Sequence, residues 1–182
     1  METFMIRKLM VFFAALISLA SVEVSAQSTV AVNTTDHAHP IVKQAEQIYQ
    51  QYRDAEKRGD VDSYKRTRTN VAYEGTIENL KRMGKTASDL SPMLKKMGDR
   101  QIDLSRFTFL RCDAKTNVAR LLYRRDGKDE TGPTVEFAVF MIHLENAEWR
   151  IGWAGNFPGP KIFMGKERTV DELLENQRFT LK

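Results

Sequence analysis

Histidine and carboxylate side chains are the groups in this sequence that could transfer protons. The three histidines are His37, His39 and His143. The pair His37-x-His39 could share a metal ion, but zinc-type sites need a third ligand, so we predict no metal site. His143 is the candidate for acid–base chemistry, because it is a lone histidine in a largely apolar stretch. The alternative is a partly buried histidine that is satisfied by one hydrogen bond, and we assign no catalytic residue.

Several carboxylates could act together with His143. The candidates are Glu74, Glu78, Asp113 and Glu136. Glu136 is expected to pair with Arg120 or Arg124 on a neighbouring strand. Cys112 has no histidine or asparagine signature near it and is expected to be a small buried residue. Since the sequence also contains no phosphate-binding loop, dinucleotide fingerprint or nucleophile elbow, we predict no cofactor.

The start of the chain predicts export. Basic Arg7 and Lys8 precede the uncharged run Leu9–Ala20, and Val24-x-Ala26 resembles a cleavage site, so residues 1–26 are expected to be a signal peptide. The protein is therefore predicted to be periplasmic or secreted, with no stable membrane anchor after cleavage. Its net charge of +4 is scattered along the chain, so no nucleic-acid partner is expected. A chain of 182 residues with one cysteine fits one domain without an internal disulfide bond.

Helices are predicted in the first half of the mature chain. Residues 27–39 are polar and without periodicity, and are expected to form a flexible tether. Pro40 suits the first turn of a helix that ends at Gly59, and Asp60 caps a second short helix. Apolar residues at helical spacing support the first of these helices: Ile41, Ala45, Ile48, Tyr52 and Ala55. Two further helices are predicted over Thr76–Met83 and Ser91–Gly98.

Strands are predicted in the second half, which makes the fold class α+β. The predicted strands are Arg106–Asp113, Asn117–Arg125, Thr134–Glu145 and Glu148–Phe157, with a polar loop over Asp126–Pro133 and one face of the last strand formed by Trp149, Ile151 and Trp153. Strand Thr134–Glu145 is apolar on both faces, so one face needs the helices and the other needs the C-terminal extension or a second copy. A homodimer is therefore expected. The extension, residues 161–182, is predicted to contain a short helix over Thr169–Asn176.

Two segments resemble the nuclear transport factor 2-like superfamily. The run Arg58-Gly59-Asp60-Val61-Asp62-Ser63-Tyr64 is similar to the family's long helix, Gly-Asp break and short second helix. The ending Trp149-Arg150-Ile151 after the last turn is similar to the family's terminal strands. The resemblance covers approximately Ile41–Phe157, within the predicted domain, residues 40–160. It implies a cystatin-like cone, in which helices pack inside a curved antiparallel sheet, in an exported bacterial member of unknown role.

The resemblance leaves the function open, because the family includes ketosteroid isomerases, dehydratases, polyketide-cyclase-like proteins and non-catalytic domains. Tyr64, Tyr123, His143 and Trp153 are the candidates to line a pocket in the cone; the alternative is that aromatic side chains fill it. We expect an exported, non-catalytic domain that binds a small apolar ligand or a partner protein. The alternatives are a cofactor-independent isomerase, dehydratase or cyclase that uses His143 with a nearby carboxylate, or a structural module of the cell envelope.

Overall fold

Helices and strands occupy separate parts of the chain, which confirms the α+β prediction. The computed structural model describes residues 31–130 and 132–159. The helices in these ranges are α1 (Pro40–Arg58), α2 (Val61–Thr67), α3 (Asn70–Arg82) and α4 (Leu90–Gly98), with 3-10 turns at Ala87–Asp89 and Leu104–Arg106. The strands are β1 (Val32–Thr34), β2 (Thr108–Lys115), β3 (Val118–Asp129), β4 (Gly132–Glu145) and β5 (Glu148–Pro158). The predicted signal peptide and the predicted helix Thr169–Asn176 lie outside the described residues. Among the described helices, none combines the length and the apolar character needed to cross a membrane.

Capping residues set the ends of α1 and α2, as predicted. Pro40 stands in the first turn of α1, and the His39 side chain accepts a hydrogen bond from the Ile41 N–H. Gly59 ends α1 at a φ of 68°, a conformation that favours glycine. The Asp60 carboxylate then accepts a hydrogen bond from the Ser63 N–H at 3.0 Å and starts α2.

Helix α3 starts earlier than the sequence analysis predicted. The prediction placed it over Thr76–Met83, whereas the helix begins at Asn70. The Thr69 hydroxyl accepts a hydrogen bond from the Ala72 N–H at 3.2 Å and so supplies the cap. The exposed Val71, with 80% of its surface accessible, breaks the apolar spacing of the first turn and hides this start.

The sheet is a simple meander of antiparallel strands. Its five strands follow chain order, β1-β2-β3-β4-β5, so every neighbour in sequence is a neighbour in space. The predicted loop Asp126–Pro133 is mostly strand, since Asp126 pairs with Val135 and Lys128 with Pro133. Backbone pairing extends this hairpin through polar residues because it requires no apolar side chains.

Strand β1 corrects part of the predicted tether, residues 27–39. Val32, Asn33 and Thr34 pair with Ala114, Asp113 and Cys112 at the edge of the sheet. Because an edge strand needs only one face against the core, a single apolar residue is sufficient, and Val32 packs on the core. Three residues with one apolar side chain give no periodicity that the sequence analysis could detect.

The four helices cover one face of the sheet, which we call the inner face. Aromatic rings from α1, β3 and β4 meet there in a stack, with Phe140 between Tyr49 (ring centroids 4.9 Å apart) and Tyr123 (5.3 Å apart). Tyr52 and Tyr64 continue the aromatic packing, with their centroids 5.7 Å apart. All five rings belong to the same buried cluster, which we call the inner cluster, so aromatic side chains occupy the space between helices and sheet.

A second buried cluster lies on the opposite face of the sheet, which we call the outer face. Its members are Val118, Leu122, Phe137, Val139 and Met141, and all come from β3 and β4. Strand β4 therefore has apolar residues on both faces, as predicted. We refer to these five residues as the outer cluster.

A β-bulge in β5 corrects the prediction that Trp149, Ile151 and Trp153 share one face. Ile142 pairs with Ile151 and Met141 pairs with Trp153, so Gly152 is an extra residue between them. Directly opposed residues of antiparallel strands point to the same face. Ile151 therefore belongs to the inner face, whereas Trp153 lies on the outer face beside Met141.

Candidate functional site

The four predicted pocket residues lie on two different faces of the sheet. Tyr64 and Tyr123 are buried in the inner cluster, with 1% and 2% of their surface accessible. His143 shares the strand face of Val139 and Met141, and the bulge puts Trp153 on that same outer face. The four residues therefore do not line one cavity, which corrects the predicted lining set.

His143 is half-buried on the outer face and packs against the backbone of β5. A Cβ atom at Gly152 would lie 2.4 Å from the His143 Cδ2 atom, so only glycine leaves room for the imidazole ring. Burial lowers the pKa of His143, which the nearby Glu145 carboxylate partly offsets. Among the described residues, no carboxylate hydrogen-bonds to His143. Glu145 instead accepts a hydrogen bond from the Asn70 N–H at 3.1 Å. The histidine–carboxylate pair that the enzyme alternative needs is thus not formed by these residues.

The hydroxyl groups of the buried tyrosines have partners at the edge of the aromatic stack. The Tyr123 hydroxyl donates to the Glu46 carboxylate at 2.9 Å, and His37 contacts the same carboxylate oxygen at 2.6 Å. The Tyr64 hydroxyl lies 3.2 Å from that of Thr76. Burial raises the pKa of Tyr64 and of Tyr123. Each of these two hydroxyl groups therefore already has a hydrogen-bond partner within the fold.

Glu56 is a buried carboxylate that the sequence analysis missed. It lies on α1 one turn after Tyr52 and has 0% of its surface accessible. Gln101 donates to its Oε2 atom, and no described atom hydrogen-bonds to its buried Oε1 atom. Burial raises the pKa of Glu56, although hydrogen bonds from Tyr52 and Gln101 and the charge of Arg68 oppose that shift. Its helical spacing from Tyr49 and Tyr52 was the signal that could have placed it on the buried face.

Replacing Glu56 by glutamine is expected to stabilise the fold increasingly as pH rises. A pKa raised in the folded state means that folding takes up a proton, so stability is highest below the unfolded value and falls as pH rises through the folded value. Glutamine keeps the shape and has no charge to desolvate. We expect the free energy of unfolding at pH 8 to rise by roughly 1 kcal/mol, with little change at pH 4.

Urea unfolding of both proteins between pH 4 and pH 8 measures this effect. The exposed Glu74→Gln variant is the control, for which the curves of wild type and variant should run parallel. If the pH dependence of the free energy of unfolding were also the same for Glu56→Gln and wild type, the pKa of Glu56 would not be raised in the folded state, which contradicts the prediction.

A surface groove lies between α1, α2 and the turn that joins β4 to β5. It encloses about 600 Å³. The residues that line it are Gln44, Ile48, Gln51, Asp54, Arg58, Ser63, Arg66, Thr67, Ala147, Glu148 and Trp149. Two consecutive helices and a turn that is distant from them in sequence therefore form its walls.

Each wall of the groove follows from the local structure of its segment. Gln44, Ile48 and Gln51 lie at helical spacing beside the buried face of α1. On the opposite wall, the two-residue turn at Asn146 and Ala147 has φ values of 53° and 65°, as in the tight hairpin turns that match the twist of the strands. This turn brings Glu148 and Trp149 towards α1.

The groove combines neutral polar, charged and apolar side chains. Ile48 and Trp149 supply apolar surface, and both pack partly against the inner cluster. The charged groups on its walls include both signs, with Arg66 held by the Ser63 hydroxyl at 3.0 Å and Glu148 held by Arg150 at 2.9 Å. Such a lining offers hydrogen bonds to polar groups together with a small apolar contact. None of the four predicted site residues lines the groove, because surface polar residues of α1 and α2 carry no sequence pattern that separates them from ordinary solvated residues.

Helices on one face of a meandering antiparallel sheet, with a groove at one end, define the chain as an α+β domain with a mixed polar surface site. Comparison with solved structures found similarity to an NTF-2 like protein of unknown function from Shewanella oneidensis MR-1. The TM-score is 0.35 and the sequence identity is 13%, with 64% of this chain and 98% of that chain covered. Comparison with protein-family models gave no match, and comparison with curated proteins gave none.

Proposed function

We propose that the chain is an exported, non-catalytic binding domain that takes a segment of a partner protein into the groove between α1, α2 and the β4–β5 turn. The predicted signal peptide supports export to the periplasm or beyond. The groove itself carries the proposal of binding, because it is a concave site of about 600 Å³ whose lining mixes polar and apolar groups.

The packing of the inner face favours a protein partner over a small apolar ligand. Tyr49, Tyr123 and Phe140 stack in the space where a cone would hold an apolar molecule. The groove instead presents amide, hydroxyl and charged groups beside Trp149. Polypeptide segments offer both backbone polar groups and single apolar side chains, and thus match this lining.

Site-specific photo-crosslinking in cells that export the full chain tests the proposal. A photoreactive benzoylphenylalanine at Gln51, an exposed groove residue, is expected to form an adduct with a partner protein, whereas the same group at Lys85, an exposed residue that does not line the groove, is not. Mass spectrometry of the exported fraction identifies the adduct.

A pair of variants on α2 provides the matched control. Ser63→Trp fills the groove and is expected to reduce the Gln51 adduct at least about tenfold, which corresponds to about 1.4 kcal/mol of binding. Asp62→Trp places the same bulk on the neighbouring exposed position and is expected to leave the adduct unchanged. An adduct that is absent, or that survives Ser63→Trp, would remove the groove from consideration.

A further inference from the structure

We infer that the outer face of the sheet is the docking surface for the chain's own C-terminal segment, residues 160–182. The outer cluster is the first observation. Val139 has 0% and Leu122 has 2% of its surface accessible in the single chain, although all members of the cluster come from β3 and β4. Residues on the face of a sheet are buried this deeply only where something covers them. The helices in the described ranges pack on the inner face, so they do not provide this cover.

The course of the chain after β5 makes residues 160–182 the cover. Gly159 lies beside the start of β4, where its N–H donates to the Val135 carbonyl oxygen. The outer face along β4 from Val135 to His143 is about 27 Å long at the usual rise of a strand. Ten further residues can span at most about 33 Å, so the predicted helix Thr169–Asn176 can reach any point along this face.

The composition of the segment matches the outer face. Val170, Leu173 and Leu174 recur at helical spacing and would give the predicted helix one apolar side for the outer cluster. Acidic residues, Asp171 and Glu175, stand along one flank of that apolar side.

The outer face carries basic groups beside its apolar centre. Arg120 and Arg150 stand on the face of the outer cluster, with 13% and 17% of their side-chain surfaces accessible. Asp113 pairs with Arg120 at 2.7 Å, and Glu148 pairs with Arg150 at 2.9 Å. The Nε atom of Arg150 is nevertheless buried with no hydrogen-bond partner among the described residues. A helix with an apolar side and one acidic flank complements both the apolar outer cluster and the arginines beside it, whereas a wholly apolar cover would complement only the cluster.

Docking of the C-terminal segment on the outer face would remove the reason for expecting a homodimer. The prediction of a second copy came from the need to cover the outer face of β4. If the C-terminal segment covers that face, the full chain needs no second copy there, and the segment keeps apolar surface from self-association.

Photo-crosslinking of the full chain with mixed isotopes distinguishes cover by the chain's own C-terminal segment from cover by a second copy. Benzoylphenylalanine at Leu174 is placed in unlabelled and in ¹⁵N-labelled protein, which are refolded together and irradiated. We expect adducts from position 174 to outer-face residues of β3–β5, with both peptides of each adduct carrying the same isotope. The same group at the exposed Val71 on α3 is the control and should not label the outer face.

Three outcomes would overturn the inference. Mixed-isotope adducts on the outer face would assign the cover to a second copy. Adducts elsewhere in the chain, or none, would place the segment away from the sheet. The double variant Leu173→Asp, Leu174→Asp provides a second readout in the full chain, since it should expose the outer cluster and raise binding of the dye ANS several-fold. Unchanged dye binding with the fold retained would also contradict the docking.

Discussion

Replacing Phe140 by alanine is expected to lower the free energy of unfolding by about 4 kcal/mol, a large part of the stability of a domain of this size. Phe140 has 1% of its surface accessible and lies between the rings of Tyr49 and Tyr123. Alanine would remove the central ring of the stack and leave a cavity that the rigid neighbours on α1 and β3 cannot fill.

Urea unfolding monitored by near-ultraviolet circular dichroism measures the loss, because the tyrosine signals depend on the packing of the stack. The variant Met83→Ala is the control, since Met83 has 57% of its surface accessible and its truncation should change stability by less than about 0.5 kcal/mol. If Phe140→Ala behaved like this control, the inner face would be loosely packed and able to admit an apolar ligand.

Replacing Gly98 by alanine is expected to lower the free energy of unfolding by about 3 kcal/mol. A Cβ atom at Gly98 would lie 2.7 Å from the Lys57 backbone nitrogen and 2.8 Å from the Lys57 Cα atom. Because both contacts are with backbone, no side-chain rotation can relieve them, and α4 must move away from α1. That shift would also disturb the burial of Glu56, whose carbonyl carbon lies 3.0 Å from the same Cβ position.

The variant Gly75→Ala is the control, because the same substitution at this position is expected to change the free energy of unfolding in the opposite direction. Gly75 lies within α3, and a Cβ atom there would meet nothing within 4 Å. Alanine at this position should raise the free energy of unfolding by about 0.5–1 kcal/mol, because glycine loses more conformational freedom in a helix. Equal effects of the two substitutions in urea unfolding would contradict the close contact between α1 and α4.

Local signals in the sequence were sufficient for much of the fold. Pro40, Gly59 and Asp60 mark the ends of α1 and the start of α2 through capping chemistry that involves only neighbouring residues. The unbroken apolar run Phe137–Ile142 is likewise a local pattern, and it predicts a strand with two apolar faces. Strand β1 was not predicted because its pairing with β2 depends on residues about eighty positions away.

The candidate site was much less predictable than the fold. The predicted lining residues are aromatic or titratable side chains. Aromatic side chains also suit a hydrophobic core, and Tyr64 and Tyr123 are buried there. The groove forms where α1, α2 and the turn at Ala147 meet, and no local pattern encodes that meeting. Glu56 was missed because a glutamate in a helix is ordinarily solvated, and only the placement of Gln101 and α4 removes it from water.

Because of the bulge at Gly152, the number of residues in β5 decides which face of the sheet each of its side chains lies on. Before the bulge, Trp149 and Ile151 of β5 lie on the inner face of the sheet, where they pack with the helices. After the bulge, Trp153 and Phe157 lie on the outer face. Deletion of the extra residue, Gly152, would make Ile151 and Trp153 direct neighbours, which regular alternation keeps on opposite faces of the sheet, so both would retain their partners. Insertion or deletion of any other single residue within β5 would instead move all residues on one side of the change to the opposite face, a rearrangement that no single substitution in β5 can produce.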